Sequence, residues 1–150
     1  MSGTPSHPVA VEVQHNVVIY SHDPAVRDAV RTAVGRRPAA DLGLIEFIEV
    51  STGSRLLEVI DAGGTDLVIL DGESQPTGGL GLAKQLKDEI DDCPPTLVLV
   101  ARKDDIWLAN WSLADAVLAY PLDAPELATT VCEQLRARTA RLPVRRHSPS

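Results

Sequence analysis

Five short apolar runs, each the length of a β-strand, limit the folds open to this chain more than any other pattern in it. Four of the five lack the polar–apolar alternation of a half-exposed strand, which indicates strands covered on both faces. A parallel sheet between two layers of helices buries its strands in this way. The runs are VVIY at 17–20, IEFIEV at 45–50, LVIL at 67–70, LVLVA at 97–101 and AVLA at 116–119.

The segments between these runs carry helical patterns. Apolar residues repeat at i, i+3, i+4, i+7 and i+8 from Val26, and Asp23-Pro24 supplies a helix cap followed by proline at the first helical position. Four more helices are predicted over 54–62, around Leu82 to Ile90, over 105–113 and around Leu127 to Leu135. Strands that alternate with helices predict an α/β domain with a doubly wound parallel sheet of five strands.

Charge is unevenly distributed along the 150 residues, whose net charge is −7. Residues 135–150 contain five arginines and no acid, whereas the preceding residues carry 9 basic and 21 acidic side chains. Because an acidic body repels phosphate, we expect no direct binding of nucleic acid. The chain shows no secretory signal and no bilayer-spanning run, and Cys132 falls in a helical pattern as a buried free thiol. Together these features indicate a cytoplasmic protein that is not inserted in a membrane.

The two ends of the chain differ in composition from the body. Residues 1–15 carry Pro, Gly, Ser and His without periodicity and are predicted to form a disordered arm, followed by a folded domain over 16–140. Residues 141–150 are predicted to be a disordered basic tail. A second interpretation, in which this tail binds an acidic surface, stays open.

Asp71 directly follows the third apolar run. In doubly wound folds, ligands and reactive groups lie beyond the carboxyl ends of the strands, so Asp71 is predicted to stand at the functional edge of the sheet. Gly78, Gly79 and Gly81 follow it, but neither a GK[ST] nor a GxGxxG pattern accompanies them. These glycines are therefore interpreted as a tight turn into the next helix, not as a phosphate-binding loop.

Several stretches together resemble the receiver domains of bacterial two-component response regulators. They are LVILD ending at Asp71, Gly79-Leu80 eight and nine residues later, DPAVRDAV in the first helix, LVLVAR at the fourth strand and AVLAYPLDAPEL at the fifth. The resemblance implies a flavodoxin-like sheet with strand order 2-1-3-4-5. It also implies that Asp71 is the candidate phosphoryl acceptor.

Other positions of the receiver phosphorylation site are changed in this chain. Receivers use two acidic Mg²⁺ ligands after the first strand, a hydroxyl at the end of the fourth, and a lysine before a proline on the fifth, which together neutralise the incoming phosphoryl charge. The corresponding residues here are Ser21 and His22, Val100, and Tyr120 before Pro121. The usual loop proline is displaced to Pro76. The resemblance therefore implies a degenerate phosphorylation pocket, and it leaves open whether the Tyr120-Pro121 bond is cis, as in receivers.

His22, Asp23 and Glu73 are candidates for a replacement cation site beside Asp71. Helix capping accounts for Asp23, and loop positions account for the other two. Mg²⁺ prefers octahedral oxygen ligands, so a site with one certain carboxylate would be weak. We expect no metal or other cofactor, and Mg²⁺ only if Asp71 is phosphorylated. Because the chain has neither a flavin-type loop after the first strand nor a G-x-S-x-G motif, we do not expect an enzyme.

Trp107 and Trp111 lie four residues apart, on one face of the helix predicted over 105–113. They either fill the core or form a partner-binding surface, which receivers usually build from their fourth helix, fifth strand and fifth helix. A second group of residues, Asp88, Glu89, Asp91 and Asp92, opposes the dipole at the end of the third helix. This group is either a solvated surface or a contact for a basic partner.

The sequence thus predicts a pseudo-receiver that works by binding a protein or a large complex. It also resembles small actinobacterial orphan receivers, some of which associate with the respiratory NADH dehydrogenase. Such a partner would hold the protein at the periphery of a membrane complex. The alternative is a working single-domain response regulator that is phosphorylated on Asp71.

Overall fold

The computed structural model describes residues 14–75, 78–107 and 111–141. Strands and helices alternate through them, with one turn of 3-10 helix at Lys103–Asp105. The strands are β1 (Gln14–Tyr20), β2 (Leu44–Val50), β3 (Leu67–Asp71), β4 (Thr96–Val100) and β5 (Ala116–Ala119). The helices are α1 (Pro24–Val34), α2 (Gly53–Asp61), α3 (Gly79–Glu89) and α4 (Ala124–Arg141).

The five strands form one parallel sheet in the order β2-β1-β3-β4-β5. This confirms the doubly wound α/β fold and the strand order that the sequence implied. Because all strands run the same way, their carboxyl ends meet at one edge of the sheet. Asp71 lies at this edge, paired in register with Leu99 of β4.

Successive residues of each strand face opposite helix layers. On one side Ile19, Ile69 and Leu99 pack in a cluster with α1 and α4, and on the other side Leu70 and Val98 pack with α2 and α3. Every residue of β3 and β4 is buried. Residues 17–20 of β1 are buried too, so the prediction of strands covered on both faces is confirmed for β1, β3 and β4. It is wrong for β5, which lies at the edge of the sheet and is only partly buried. Each fully buried leucine or isoleucine contributes about 1.5–3 kcal/mol by leaving water.

The first helix begins where the sequence predicts. The Asp23 side chain accepts a hydrogen bond from the Ala25 amide at 2.9 Å, and Pro24 is the first helical residue. Thr52 caps α2 in the same way through the Arg55 amide at 3.1 Å. Both caps satisfy backbone donors that have no partner within the helix.

Two predicted boundaries are wrong by a few residues. β1 begins at Gln14, so Gln14 and His15 belong to the sheet and not to the N-terminal arm. These residues are polar and carry no hydrophobic signal, yet they pair with β2, and the neighbouring Asn16 amide donates to Asp66 at 2.9 Å. Similarly, α4 extends through Arg141, the first residue of the predicted tail. The rest of the arm and of the tail lies outside the described residues.

The helix predicted over 105–113 is only partly described. The 3-10 turn lies at Lys103–Asp105, residues 111 and 112 are helical, and 108–110 are outside the described part of the chain. Cys132 is a buried free thiol, as predicted. Within the described residues, no helix combines the length and apolar character needed to cross a bilayer.

Candidate functional site

Asp71 is buried at the carboxyl end of β3, with 3% of its surface exposed. The apolar run before it holds the strand in the centre of the sheet, and the Gly72 amide donates to the Leu99 carbonyl at 2.7 Å. A carboxylate that leaves water in this way requires hydrogen-bond donors around it. The identity of those donors determines what chemistry the site can support.

Among the described residues, three neutral donors surround the Asp71 carboxylate. The Ser21 hydroxyl donates to Oδ2 at 2.7 Å. Oδ1 accepts the Tyr120 hydroxyl at 3.1 Å and the Glu73 amide at 2.9 Å. A carboxylate has about four lone-pair positions, so these donors fill most of its accepting capacity.

Ser21 is oriented by a second hydrogen bond. Its Oγ accepts the Asp23 amide at 3.0 Å, so the hydroxyl proton is directed to Asp71. The Ser21 carbonyl accepts from the Arg27 guanidinium at 2.6 Å, and Arg27 also pairs with Glu49 at 3.1 Å. The positive charge of Arg27 is thus engaged by a carbonyl and a second carboxylate.

Tyr120 enters the site from the end of β5, where its bond to Pro121 is cis. Burial raises the pKa of the Tyr120 phenol above its ordinary value, and the negative charge of Asp71 and the hydrogen bond to Asp71 raise it further. The phenol therefore keeps its proton at neutral pH and remains a donor to Asp71. Tyr120 thus brings a neutral hydrogen-bond donor to the position where the resemblance to receivers implies a lysine.

His22 lies beside the site but is bound to the loop after β3. Its amide donates to Ser74 Oγ at 2.7 Å, its Nδ1 lies 2.8 Å from the same oxygen, and the Gln75 amide donates to Nδ1 at 3.1 Å. Ser74 is almost fully buried. Ser74 could not be predicted from the sequence, because a short polar residue in a loop is common and its partner is distant along the chain.

The remaining acids at this edge bind backbone groups. Asp23 caps α1, and Glu73 Oε2 accepts the Ala101 amide at 3.2 Å. Val100 is fully buried in the apolar cluster on the α2 and α3 side and has no polar atom to offer. The displaced proline, Pro76, lies outside the described residues.

The residues at this edge do not fit a Mg²⁺ ion. Ser21, where the resemblance to receivers implies an acid, donates a hydrogen bond to Asp71, and the carboxylates of Asp23 and Glu73 accept from backbone amides. Over the described ranges, no group of three or more His, Cys, Asp or Glu side chains has a metal-binding arrangement. The hard oxygen ligands that Mg²⁺ needs are thus not gathered around Asp71.

Gly79 brings α3 close to Asp71. A Cβ atom on Gly79 would lie 2.9 Å from the Asp71 carbonyl oxygen and 2.9 Å from the Leu70 Cβ. Gly81, in contrast, faces open space. The glycine-rich segment therefore serves close packing of a helix against β3 at Gly79, which refines the tight turn inferred from the sequence.

The two tryptophans lie on the surface. Trp107 is 68% exposed and Trp111 is 55% exposed, so neither fills the core. Ile106 and Leu113, close to them in the sequence, are also exposed, at 41% and 52%. Large apolar side chains grouped on a surface are typical of a binding site for another protein.

Relatives in sequence point to one family, although no protein-family model matches the chain. Uncharacterized response regulatory proteins of two Mycobacterium tuberculosis strains are 49% identical over 121 residues, which cover 81% of this chain and 91% of each relative. These relatives share the length of the folded body, so the similarity is not confined to one motif.

Solved structures of receiver domains share the fold at low sequence identity. A signal receiver domain of a LuxO-type repressor protein from Vibrio parahaemolyticus has a TM-score of 0.72 at 18% identity, covering 85% of this chain and 95% of its own. A CheY-like receiver protein from Methanospirillum hungatei has a TM-score of 0.66 at 15% identity, covering 87% and 100%. At these identities the similarity shows the fold alone.

Proposed function

This chain belongs to the response regulator family, and from that membership we propose that it is a non-enzymatic receiver that works by binding a protein partner, without phosphorylation of Asp71. The single observation that carries the proposal is the neutral set of donors around the Asp71 carboxylate. Phosphoryl transfer to an aspartate brings two anionic groups together, and the site must neutralise that charge.

The donors around Asp71 supply hydrogen bonds where receivers supply positive charge. Losing a single group that stabilises developing charge typically costs on the order of 3 kcal/mol of activation free energy. Here the hydroxyl position holds Val100 and the lysine position holds Tyr120, and the residues do not fit Mg²⁺. Ser21 and Tyr120 would also have to leave the carboxylate before an oxygen of Asp71 could attack phosphorus.

The partner-binding surface that we propose is centred on Trp107 and Trp111. Their exposure supports it. Ile106, which precedes Trp107 in the chain, lines a groove of about 360 Å³ together with Lys103 and residues 117–119 of β5. Tryptophan contributes strongly where it becomes buried at the centre of an interface. We propose a protein or large complex as the partner, and the respiratory NADH dehydrogenase is the first complex to test.

Intact mass spectrometry tests the phosphorylation half of the proposal. The protein is incubated with acetyl phosphate and Mg²⁺, next to Asp71→Asn and a receiver known to accept phosphate. We expect the mass of the wild-type chain to stay unchanged while the reference receiver gains a phosphoryl group. A gain in mass that Asp71→Asn abolishes would establish the alternative, a working response regulator phosphorylated on Asp71.

Affinity purification tests whether Trp107 and Trp111 form the partner-binding surface. Tagged wild-type protein, Trp107→Ala, Trp111→Ala and the surface control Arg55→Ala are compared by quantitative mass spectrometry. We expect each tryptophan variant to bind the partner at least about 30-fold more weakly, since hot-spot truncations cost about 2 kcal/mol or more of binding free energy. Arg55→Ala should bind the partner as the wild-type protein does. Equal recovery by all variants would exclude this surface, and recovery without NADH dehydrogenase subunits would exclude that complex.

A further inference from the structure

Glu73 joins the Asp71 site to the end of β4. Its backbone amide donates to Asp71 Oδ1 at 2.9 Å. Its side chain reaches the neighbouring strand, where Oε2 accepts the Ala101 amide at 3.2 Å. One residue therefore contacts the buried carboxylate through its main chain and the end of β4 through its own carboxylate.

The charge of Glu73 acts on the same site. Burial raises the pKa of the Tyr120 phenol above its ordinary value, Asp71 raises it further, and the negative charge of Glu73 adds to these effects. The Glu73 carboxylate is thus a second negative charge near the Tyr120 hydroxyl, at the same edge of the sheet. Its interaction with the Ala101 amide offsets the repulsion between the two carboxylates, because a charged acceptor makes a strong hydrogen bond.

This carboxylate lies where the resemblance to receivers implies an attached phosphoryl group. A phosphoryl group on Asp71 would lie between the ends of β3, β4 and β5, and its oxygens would accept hydrogen bonds there. Val100 ends β4 and offers no polar atom. The next donor along the chain is the Ala101 amide, and an anion of the protein itself already binds it.

Ala101 begins the segment that leads to the exposed tryptophans. The 3-10 turn at Lys103–Asp105 follows it, and the Ile106 amide closes this turn by donating to the Lys103 carbonyl at 3.1 Å. Ile106 lines the groove beside β5, and Trp107 comes next in the chain. A hydrogen bond that holds the Ala101 amide therefore restricts the start of a short path to the partner-binding surface.

We propose that Glu73 is a positioning residue whose carboxylate takes the place of a phosphoryl group and holds residues 101–107 in the arrangement that binds the partner. This inference rests on the proposed function, since it assigns the regulation of that same surface. The anion is part of the chain and is not added by a kinase. The surface is therefore kept in its binding arrangement permanently.

Amide spectra and hydrogen exchange of the protein without a partner test the link. Glu73→Ala removes the acceptor, Glu73→Gln keeps an oxygen acceptor without the charge, and Glu46→Ala removes an exposed carboxylate of β2 as a control. We expect Glu73→Ala to shift the amides of residues 101–106 and the Trp107 indole signal. The Ala101 amide should exchange about 3- to 10-fold faster, the range expected for one net hydrogen bond.

The two other variants separate positioning from a general effect on the fold. A neutral hydrogen bond is about half as strong as a charged one, so the Ala101 amide of Glu73→Gln should exchange at a rate between those of the wild-type protein and Glu73→Ala. Glu46→Ala should leave all of these signals unchanged. Wild-type signals for Ala101 and for the Trp107 indole in Glu73→Ala would overturn the role of Glu73, whatever the protein binds.

Affinity purification with the same variants distinguishes this inference from the proposed function. If Trp107→Ala loses the partner while Glu73→Ala binds it as the wild-type protein does, the role of Glu73 is overturned and the partner-binding surface stands. If the tryptophan variants recover the same proteins as the wild type while Glu73→Ala shifts the Trp107 indole, the partner-binding surface is excluded and only the link from Glu73 to Trp107 stands.

Discussion

The Ser21 hydroxyl donates to Asp71 Oδ2 over 2.7 Å and joins the carboxyl ends of β1 and β3. The resemblance to receivers implies an acid at this position after the first strand, and this chain has a neutral hydrogen-bond donor there. A serine in place of an acid replaces a like charge, which would repel the Asp71 carboxylate, by a hydroxyl that donates a hydrogen bond to it. It accounts for a carboxylate that is buried among neutral donors in the described part of the chain.

Substitution of Ser21 by aspartate tests this relationship. We expect Ser21→Asp to lower the free energy of unfolding at pH 7 by more than about 2 kcal/mol, because Asp71 loses a donor and gains a like charge. The loss should shrink near pH 5, because two adjacent carboxylates raise one pKa and the pair then holds a proton in the folded state. Urea unfolding measures both values. Ser21→Asn is the neutral control, and equal stability of the two variants at pH 7 would contradict the argument.

The hydrogen bond from the Tyr120 hydroxyl to Asp71 leads to a second prediction. We expect Tyr120→Phe to lower the free energy of unfolding by about 1–3 kcal/mol, since a buried carboxylate oxygen loses a donor. A double-mutant cycle with Asp71→Asn isolates the contact, and the two effects should not add. Additive effects in urea denaturation would show that the 3.1 Å contact does not stabilise the fold.

Stability at alkaline pH follows from the raised pKa of Tyr120. A phenol whose pKa is raised in the folded state binds its proton more tightly there than in the unfolded chain. Its contribution is therefore complete below the unfolded pKa of about 10 and is lost as the pH rises above that value. From about pH 10 to pH 11.5, the wild-type protein should lose up to about 1.4 kcal/mol per pH unit more than Tyr120→Phe, whereas the two should change alike between pH 8 and about pH 10. Parallel curves for the two proteins would exclude this coupling.

The two glycines at the start of α3 form a matched pair. Gly79→Ala should lower the free energy of unfolding by about 1–3 kcal/mol, because its Cβ would be 2.9 Å from the Asp71 carbonyl. Gly81→Ala, on the same helix but in open space, should be neutral or stabilise by up to about 1 kcal/mol. Thermal and urea unfolding of both variants measure the difference, and a similar effect of the two alanines would show that α3 can move away from β3.

Much of the fold was predictable because its signals are local. A buried strand must be apolar along its whole length, and a helix must repeat its apolar residues with its own period, so both appear in a short window of sequence. The start of β1 was missed for the same reason. Gln14 and His15 are polar and are held by backbone pairing with β2, which leaves no trace in their own side chains.

The candidate site was only partly predictable. Asp71 and the altered positions Ser21, Val100 and Tyr120 could be named, because motifs mark where they fall relative to the strands. That Ser21 and Tyr120 both donate to Asp71 depends on side chains 50 and 49 residues away in the chain. The role of Ser74 in holding His22 was not predicted at all, since it depends on two loops meeting at the sheet edge.

The amino-acid sequence by itself determined the alternation of strands and helices and the place of Asp71 at the end of the third strand, and its resemblance to receivers implied that Ser21, Val100 and Tyr120 replace an acid, a hydroxyl and a lysine. The tertiary structure alone decided which groups replaced them around the carboxylate, and that Trp107 and Trp111 face solvent instead of the core. The physical reason is range: hydrophobic periodicity acts between neighbours in the chain, whereas hydrogen-bond partners and burial are set by segments that meet only after the sheet has assembled.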